Sequence, residues 1–190
     1  EAVNAGGTVV LQKDIDLTRT IAVTGTVTLD LNGKKIYNSN DLWDKPTKED
    51  NNWSLVSVRE NGSLTITGNG TLKAKENDCY AVDVQDGATC TIENGTFDGN
   101  IHAVYVLEGH ADIKGGTYSV QQKYPDAAKA DEFVLNLLDA NRENGTASLT
   151  VTGGTFANFN PADCQAEGAH TNFCAEGYEK VESKVIDSVT

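Results

Sequence analysis

Ala147-Ser-Leu-Thr-Val-Thr-Gly-Gly-Thr-Phe156 is one of several copies of a single pattern. It recurs as Gly62-Ser-Leu-Thr-Ile-Thr-Gly-Asn-Gly-Thr-Leu72, as Gly87-Ala-Thr-Cys-Thr-Ile-Glu-Asn-Gly-Thr-Phe97 and as Gly109-His-Ala-Asp-Ile-Lys-Gly-Gly-Thr-Tyr118. The shared threonines are Thr71, Thr96, Thr117 and Thr155, so the copies step by 25, 21 and 38 residues, the last being one period plus an insertion. A degenerate fifth copy, Val27-Thr-Leu-Asp-Leu-Asn-Gly-Lys-Lys-Ile36, precedes them. Self-similarity at such a period is the mark of a solenoid.

Working outward, each copy follows another short alternating strand: Leu55-Val-Ser-Val58, Ala81-Val-Asp-Val84, Ala103-Val-Tyr-Val106 and Val134-Leu-Asn-Leu137. One period therefore holds a strand, a turn, a second strand, a Gly-centred turn and a brief third strand. Strands this short cannot bury an apolar face alone. Stacked every ~4.8 Å on their own equivalents, they share one continuous core, with glycine supplying the positive-φ corners. The expected fold is all-β, a right-handed parallel β-helix (β-solenoid) of about five coils with N- and C-terminal caps. A β-sandwich would pair its strands as antiparallel hairpins, without a phased repeat of turn chemistry.

Alternation assigns the faces. Val56, Val58, Val82, Val84, Val104, Val106, Leu135 and Leu137 point inward from the first strand. Leu64, Ile66, Cys90, Ile92, Ala111, Ile113, Leu149 and Val151 do so from the second, and Leu72, Phe97, Tyr118 and Phe156 stack along the third side. The 190 residues read as one domain: a cap over 1–24, coils over 25–156 and a C-terminal cap over 157–190. Loops near 41–52 and 121–130 leave the coil, with a short helix expected around 126–131, and Phe159, Phe173 and Tyr178 are the expected C-terminal plug.

The net charge of −13 repels phosphate backbones and anionic headgroups, which argues against nucleic-acid partners and membrane adsorption. No apolar run is long enough for membrane insertion. No Asp-x-Asp-x-Asp-Gly type Ca²⁺ loop is present, and the four cysteines and three histidines lack zinc spacing, so no metal or other cofactor is expected. Cys164 and Cys174 lie ten apart in a strand-poor tail, where a disulfide could close a loop, whereas Cys90 falls on an inward position and reads as a buried thiol. That pairing points to an oxidising, extracytoplasmic setting. A chain that opens on Glu1 without any Met is expected to be a processed protein or an excised domain.

The pattern resembles the pectate-lyase-like parallel β-helix proteins, and among them the non-enzymatic surface or virion-associated modules of gut bacteria and their phages. The resemblance rests on Ala5-Gly-Gly-Thr-Val-Val-Leu11, Val27-Thr-Leu-Asp-Leu-Asn-Gly33, Gly153-Gly-Thr-Phe156, Asn158-Phe-Asn-Pro161 and Asn172-Phe-Cys-Ala-Glu-Gly-Tyr178. One solenoid hosts lyases, hydrolases, adhesins and tail fibres alike, so it implies the fold more strongly than the activity.

Lyases of that fold use Asp clusters for Ca²⁺ and an Arg or Lys base on the first sheet. This chain has Arg19, Arg59 and Arg142, and only Arg59 ends a first-sheet strand, facing Asp83 and Gln85 in the next copy. Paired acid/base hydrolysis needs two carboxyl groups held together, and no Asp-Asp step occurs. His110 reads as a solvated turn residue, and Asp41, Asp44, Glu49 and Asp50 of the first loop are the remaining route to an enzyme. No catalytic residue is expected. A binding face is: outward Ser57, Asp83, Tyr105 and Asn136 form a ladder flanked by Arg59, Gln85 and Leu107, chemistry suited to carbohydrate through ring stacking and hydrogen bonds. The readings are a structural or adhesive module with virion, cell-surface or self-association partners, a stand-alone glycan-binding protein, and a minimal polysaccharide lyase.

Overall fold

The apolar residues recur with period two over three to five residues and then break at a glycine or asparagine. Each run therefore extends, pairs with its equivalent one period away, and turns. In the computed structural model, which describes residues 6–42, 53–76, 79–123, 133–164 and 171–181, this gives three all-parallel sheets. Sheet A contains β1 (Gly7–Val10), β4 (Thr26–Asp30), β7 (Ser63–Thr67), β10 (Ala88–Ile92), β13 (Gly109–Ile113) and β16 (Ala147–Val151). Sheet B runs through β2 (Ile15–Asp16), β5 (Lys35–Tyr37), β8 (Thr71–Lys73), β11 (Thr96–Gly99), β14 (Thr117–Val120) and β17 (Thr155–Phe156). Sheet C runs through β3 (Ile21–Val23), β6 (Ser54–Val58), β9 (Tyr80–Val84), β12 (Val104–Val106) and β15 (Leu135–Leu137). Successive A, B and C strands make one rung, and the rungs stack as a parallel β-helix.

Register follows the repeat. Leu64 lies beside Cys90 and Ile66 beside Ile92, and Ala111 and Ile113 continue the two files. Every inward position read from sheets A and C is buried, and the apolar residues form one continuous cluster from Leu11 to Phe173. In sheet B, Phe97 stacks on Tyr118 at 5.1 Å and Tyr118 on Phe156 at 5.0 Å, nearly parallel. The Tyr118 hydroxyl donates to the Gly115 carbonyl at 2.6 Å, which satisfies the one polar group in that stack. Glycine is required at Gly109, where φ is 125° and a Cβ would run into the Ala88 carbonyl of the rung below.

Three expectations need correction. Within the stretch read as an N-terminal cap, residues 7–23 form a rung: β1, β2 and β3 pair in parallel register with β4, β5 and β6, because Val9, Ile15 and Ile21 already follow the solenoid's spacing. A helix not foreseen, α1 (Asp139–Asn144), fills the turn from sheet C to sheet A between β15 and β16 and ends on Gly145 in the left-handed region; it has no buried residue, so no apolar stripe announced it. Phe159 and Phe173 are buried at the C-terminal end as expected, but Tyr178 is 54% exposed. The loop over 43–52 and the helix expected around 126–131 fall outside the described residues.

Candidate functional site

Sheet C carries the site because its strands enter at a corner. Leu55 and Val56 are both fully buried, as are Ala81 and Val82, Ala103 and Val104, and Val134 and Leu135. Two adjacent buried residues break the alternation, so the residue before each pair, namely Ser54, Tyr80, His102 or Phe133, is set at the edge of the outer face. Alternation resumes beyond the corner, and Ser57, Asp83, Tyr105 and Asn136 sit side by side on four consecutive strands. The ladder read from the sequence is therefore formed.

Its surroundings are not those of an open solvated ladder, and this corrects the expectation. Ser57 is fully buried, Asp83 is 3% exposed and Gln85 6%, whereas Arg59, Tyr105 and Asn136 are half-buried. Long side chains fold back along the strands. The Arg59 Nε donates to Ser57 Oγ at 2.7 Å, and the Gln85 amide donates to Ser57 Oγ at 2.9 Å and to Asp83 Oδ2 at 3.2 Å. Asp83 Oδ1 and Ser54 Oγ are buried without a properly formed hydrogen bond. Burial pushes the Asp83 carboxyl up to about 7; hydrogen bonding to Ser57 and the Arg59 charge only partly oppose it.

Rings gather beside this carboxyl. Tyr80 lies 4.7 Å from His102 and 5.3 Å from Tyr105, His102 stacks on Tyr105 at 5.0 Å, and Phe133 meets His102 edge-on at 6.1 Å. Trp53, Tyr80, Tyr105 and Leu107 line, together with Asp83, a recess of about 140 Å³. His102 Nδ1–H donates to the Phe133 carbonyl at 2.8 Å, which leaves Nε2 to accept from the Asn136 amide at 3.4 Å. Burial holds this imidazole down to about 4, so it is neutral and acts as a packed ring. Trp53, Tyr80, His102 and Phe133 were missed in the sequence because the strands were read from Leu55, Ala81, Ala103 and Val134. Rings at the residue before the strand in three of four rungs were the available signal.

Other candidates group differently. His110 lies within β13, in register with Thr89 and Ser148, and not in a turn. Its Nδ1 meets Ser148 Oγ at 2.7 Å and its Nε2 meets Asp112 Oδ1 at 3.1 Å. The line has the residue types of an acyl-transfer triad, but it lies along an open strand face where the β13 amides are already engaged in the sheet, so paired oxyanion donors are not on offer there. Asp41 pairs with Lys75 at 2.7 Å, and Asp44, Glu49 and Asp50 fall outside the described residues. Among the described residues no group of three His, Cys, Asp or Glu side chains converges as a metal site would need.

No disulfide joins Cys164 and Cys174, the pair between which a closure is expected, in this structure. Each is held by its own backbone pairing, Cys164 with Thr171 and Cys174 with Val151. Burial pushes the Cys79 and Cys90 thiols up to about 12, which makes them poor nucleophiles. A larger cleft of about 620 Å³ at the last rung is lined by Phe156, Phe159, Pro161 and Tyr178 together with Thr152, Thr155, Glu179 and Lys180.

Comparison with protein-family models, with curated proteins and with solved structures finds no match to this chain.

Proposed function

We propose that this chain is a noncatalytic β-solenoid that binds carbohydrate on the outer face of sheet C, serving as an adhesive or structural module displayed outside the cytoplasm on a virion or a cell surface. The observation that carries the reading is the recess in which Trp53, Tyr80 and Tyr105 meet a buried polar network of Asp83, Gln85 and Ser57. Rings set against fixed hydrogen-bonding groups are the usual equipment for stacking a sugar face and orienting its hydroxyls. The resemblance to non-enzymatic solenoids of gut bacteria and their phages supports the display role, and the acidic charge argues for a neutral or cationic ligand over a polyanion.

A minimal lyase or hydrolase is the second reading, favoured by one feature: a carboxyl that titrates near neutrality beside an arginine. Against it, Asp83 is the one carboxyl in its file, with Ser57, Tyr105 and Asn136 for neighbours. Acid/base cleavage of a glycosidic bond requires a second group of matched pKa. A glycan array read with the wild-type chain and with Tyr105→Ala tests the binding reading: ligands retained by the first and lost by the second support it, and an array without any ligand overturns it. Reducing-sugar and unsaturated-product assays on pectin, alginate and capsule preparations separate binding from cleavage. Product release abolished by Asp83→Asn would establish the enzyme instead.

A further inference from the structure

The recess beside Asp83 is chemically narrower than a general sugar platform. Among the described residues three of its walls are aromatic rings, the fourth is Leu107, and the carboxyl that lines it is Asp83. The hydrogen-bonding groups nearest it already serve one another: Gln85 on Ser57 and on Asp83 Oδ2, Arg59 Nε on Ser57, and the Asn136 amide on His102. A neutral sugar buried in such a place would need donors and acceptors for each hydroxyl. What remains among the described residues is the negative face of each ring and a buried carboxyl whose Oδ1 lacks a properly formed hydrogen bond. Its volume of about 140 Å³ falls below the range of roughly 300 Å³ and upward that encloses a whole drug-sized molecule. One compact group fits.

Ring faces attract a cation seated within about 6 Å of their centroids, and aromatic cages are the common means of holding quaternary ammonium groups. A carboxyl buried beneath them stays unfavourable to ionise even with Arg59 beside it, and a bound cation lowers the penalty that is left. The net charge of −13 also concentrates cations around the chain.

We propose that this recess is an aromatic cage for a compact organic cation, an ammonium or quaternary ammonium group, with Trp53, Tyr80 and Tyr105 as its walls and Asp83 as the counter-charge. It deepens the carbohydrate reading and rests on it for the ligand's origin: the cation is a substituent of the bound glycan. Tyr105 sits on the strand between Asp83 and Asn136, so a cation held here leaves the attached sugar over the half-buried Tyr105–Asn136 end of the ladder.

The test is isothermal titration of the full chain with choline and with 3,3-dimethyl-1-butanol, which has the same shape without the charge. Saturable choline binding about tenfold tighter than the isostere is expected. Tyr105→Leu and Asp83→Asn should each weaken choline about tenfold, with Tyr105→Phe close to wild type because the ring face is kept. A retained cooperative melting transition, whatever its midpoint, shows that the variants are folded. Equal binding of choline and its isostere overturns the cage, as does choline binding indifferent to Asp83→Asn. Array glycans bound without any choline binding overturn the cage and leave the carbohydrate reading standing. Choline binding with an empty array leaves the cage and removes the carbohydrate reading, and an absence of both ends both.

Discussion

Two groups of rings run along this solenoid and are built on opposite rules. Inside sheet B, Phe97, Tyr118 and Phe156 occupy one register position on β11, β14 and β17, and their planes lie within 10° and 14° of parallel. Outside sheet C, Tyr80 and His102 come from the strand-entry corner and Tyr105 from the strand proper. Tyr80 meets the other two at 42° and 55°. The inner rings stack because translation by one rung superposes them, and every rung of a solenoid offers that. The outer rings mix two register positions, Tyr80 and His102 at the corner and Tyr105 on the strand, so translation by one rung does not superpose Tyr105 on the other two, and the three converge beside a buried carboxyl. Regular repetition accounts for the first group and not for the second.

The comparison breaks most severely if the core is opened. Val84→Asp places an unpaired charge between Val58 and Val106, at a cost of several kcal/mol. Loss of the cooperative thermal transition is expected, and a melting temperature within a few degrees of wild type would show that the inward assignment of sheet C is wrong.

Truncating one ring from each group sharpens it. Phe97→Ala leaves a cavity between Leu72 and Tyr118 and should destabilise by about 3–5 kcal/mol. Tyr105→Ala, from a half-buried surface position, should lose no more than about 1 kcal/mol. Denaturant midpoints at constant slope measure both, and equal losses would mean that the outer rings are structural as well.

The buried polar network adds a pH signature. Asp83 is held near 7 when folded, against an unfolded value of about 3.9. The folded chain thus keeps a proton that the unfolded chain releases, and stability is lost as pH rises from about 4 to 7. His102, lowered to about 4 from about 6.5, acts oppositely: the unfolded chain binds the extra proton, and stability is lost as pH falls from about 6.5 to 4. The two slopes nearly cancel in the wild type. Asp83→Asn should therefore stabilise by up to about 4 kcal/mol at pH 8 and by little at pH 4. It also leaves a steep rise in stability with pH between those limits. Melting curves across pH 4–8 check this, and a variant that tracks the wild type at every pH would mean that Asp83 is ionised at no penalty.

The smallest effect belongs to the tail. Closing the Cys164–Cys174 loop would add roughly 2–3 kcal/mol on the loop-entropy model, but with no disulfide there the reductant dithiothreitol should change the melting temperature little. Intact mass after alkylation in denaturant, without reductant, should show four adducts; two would mean that a disulfide forms in solution.

The sequence by itself determined the solenoid. A period-two apolar pattern repeated at fixed turn chemistry has one economical way to bury its faces, and residues such as Val84, Ile92 and Phe97 could be assigned from alternation alone. It also determined which residues share the sheet C file, since Ser57, Asp83, Tyr105 and Asn136 hold equivalent places in their rungs. Only the tertiary structure decided what that file is. Burial of Ser57 and Asp83 depends on Gln85 and Arg59 folding back along their strands, and the ring cluster depends on a corner that breaks the alternation ahead of Ala81 and Ala103. Side-chain direction at a corner, and contact between different positions on neighbouring rungs, are set by the path of the chain in space, so a pattern read along one strand contains neither.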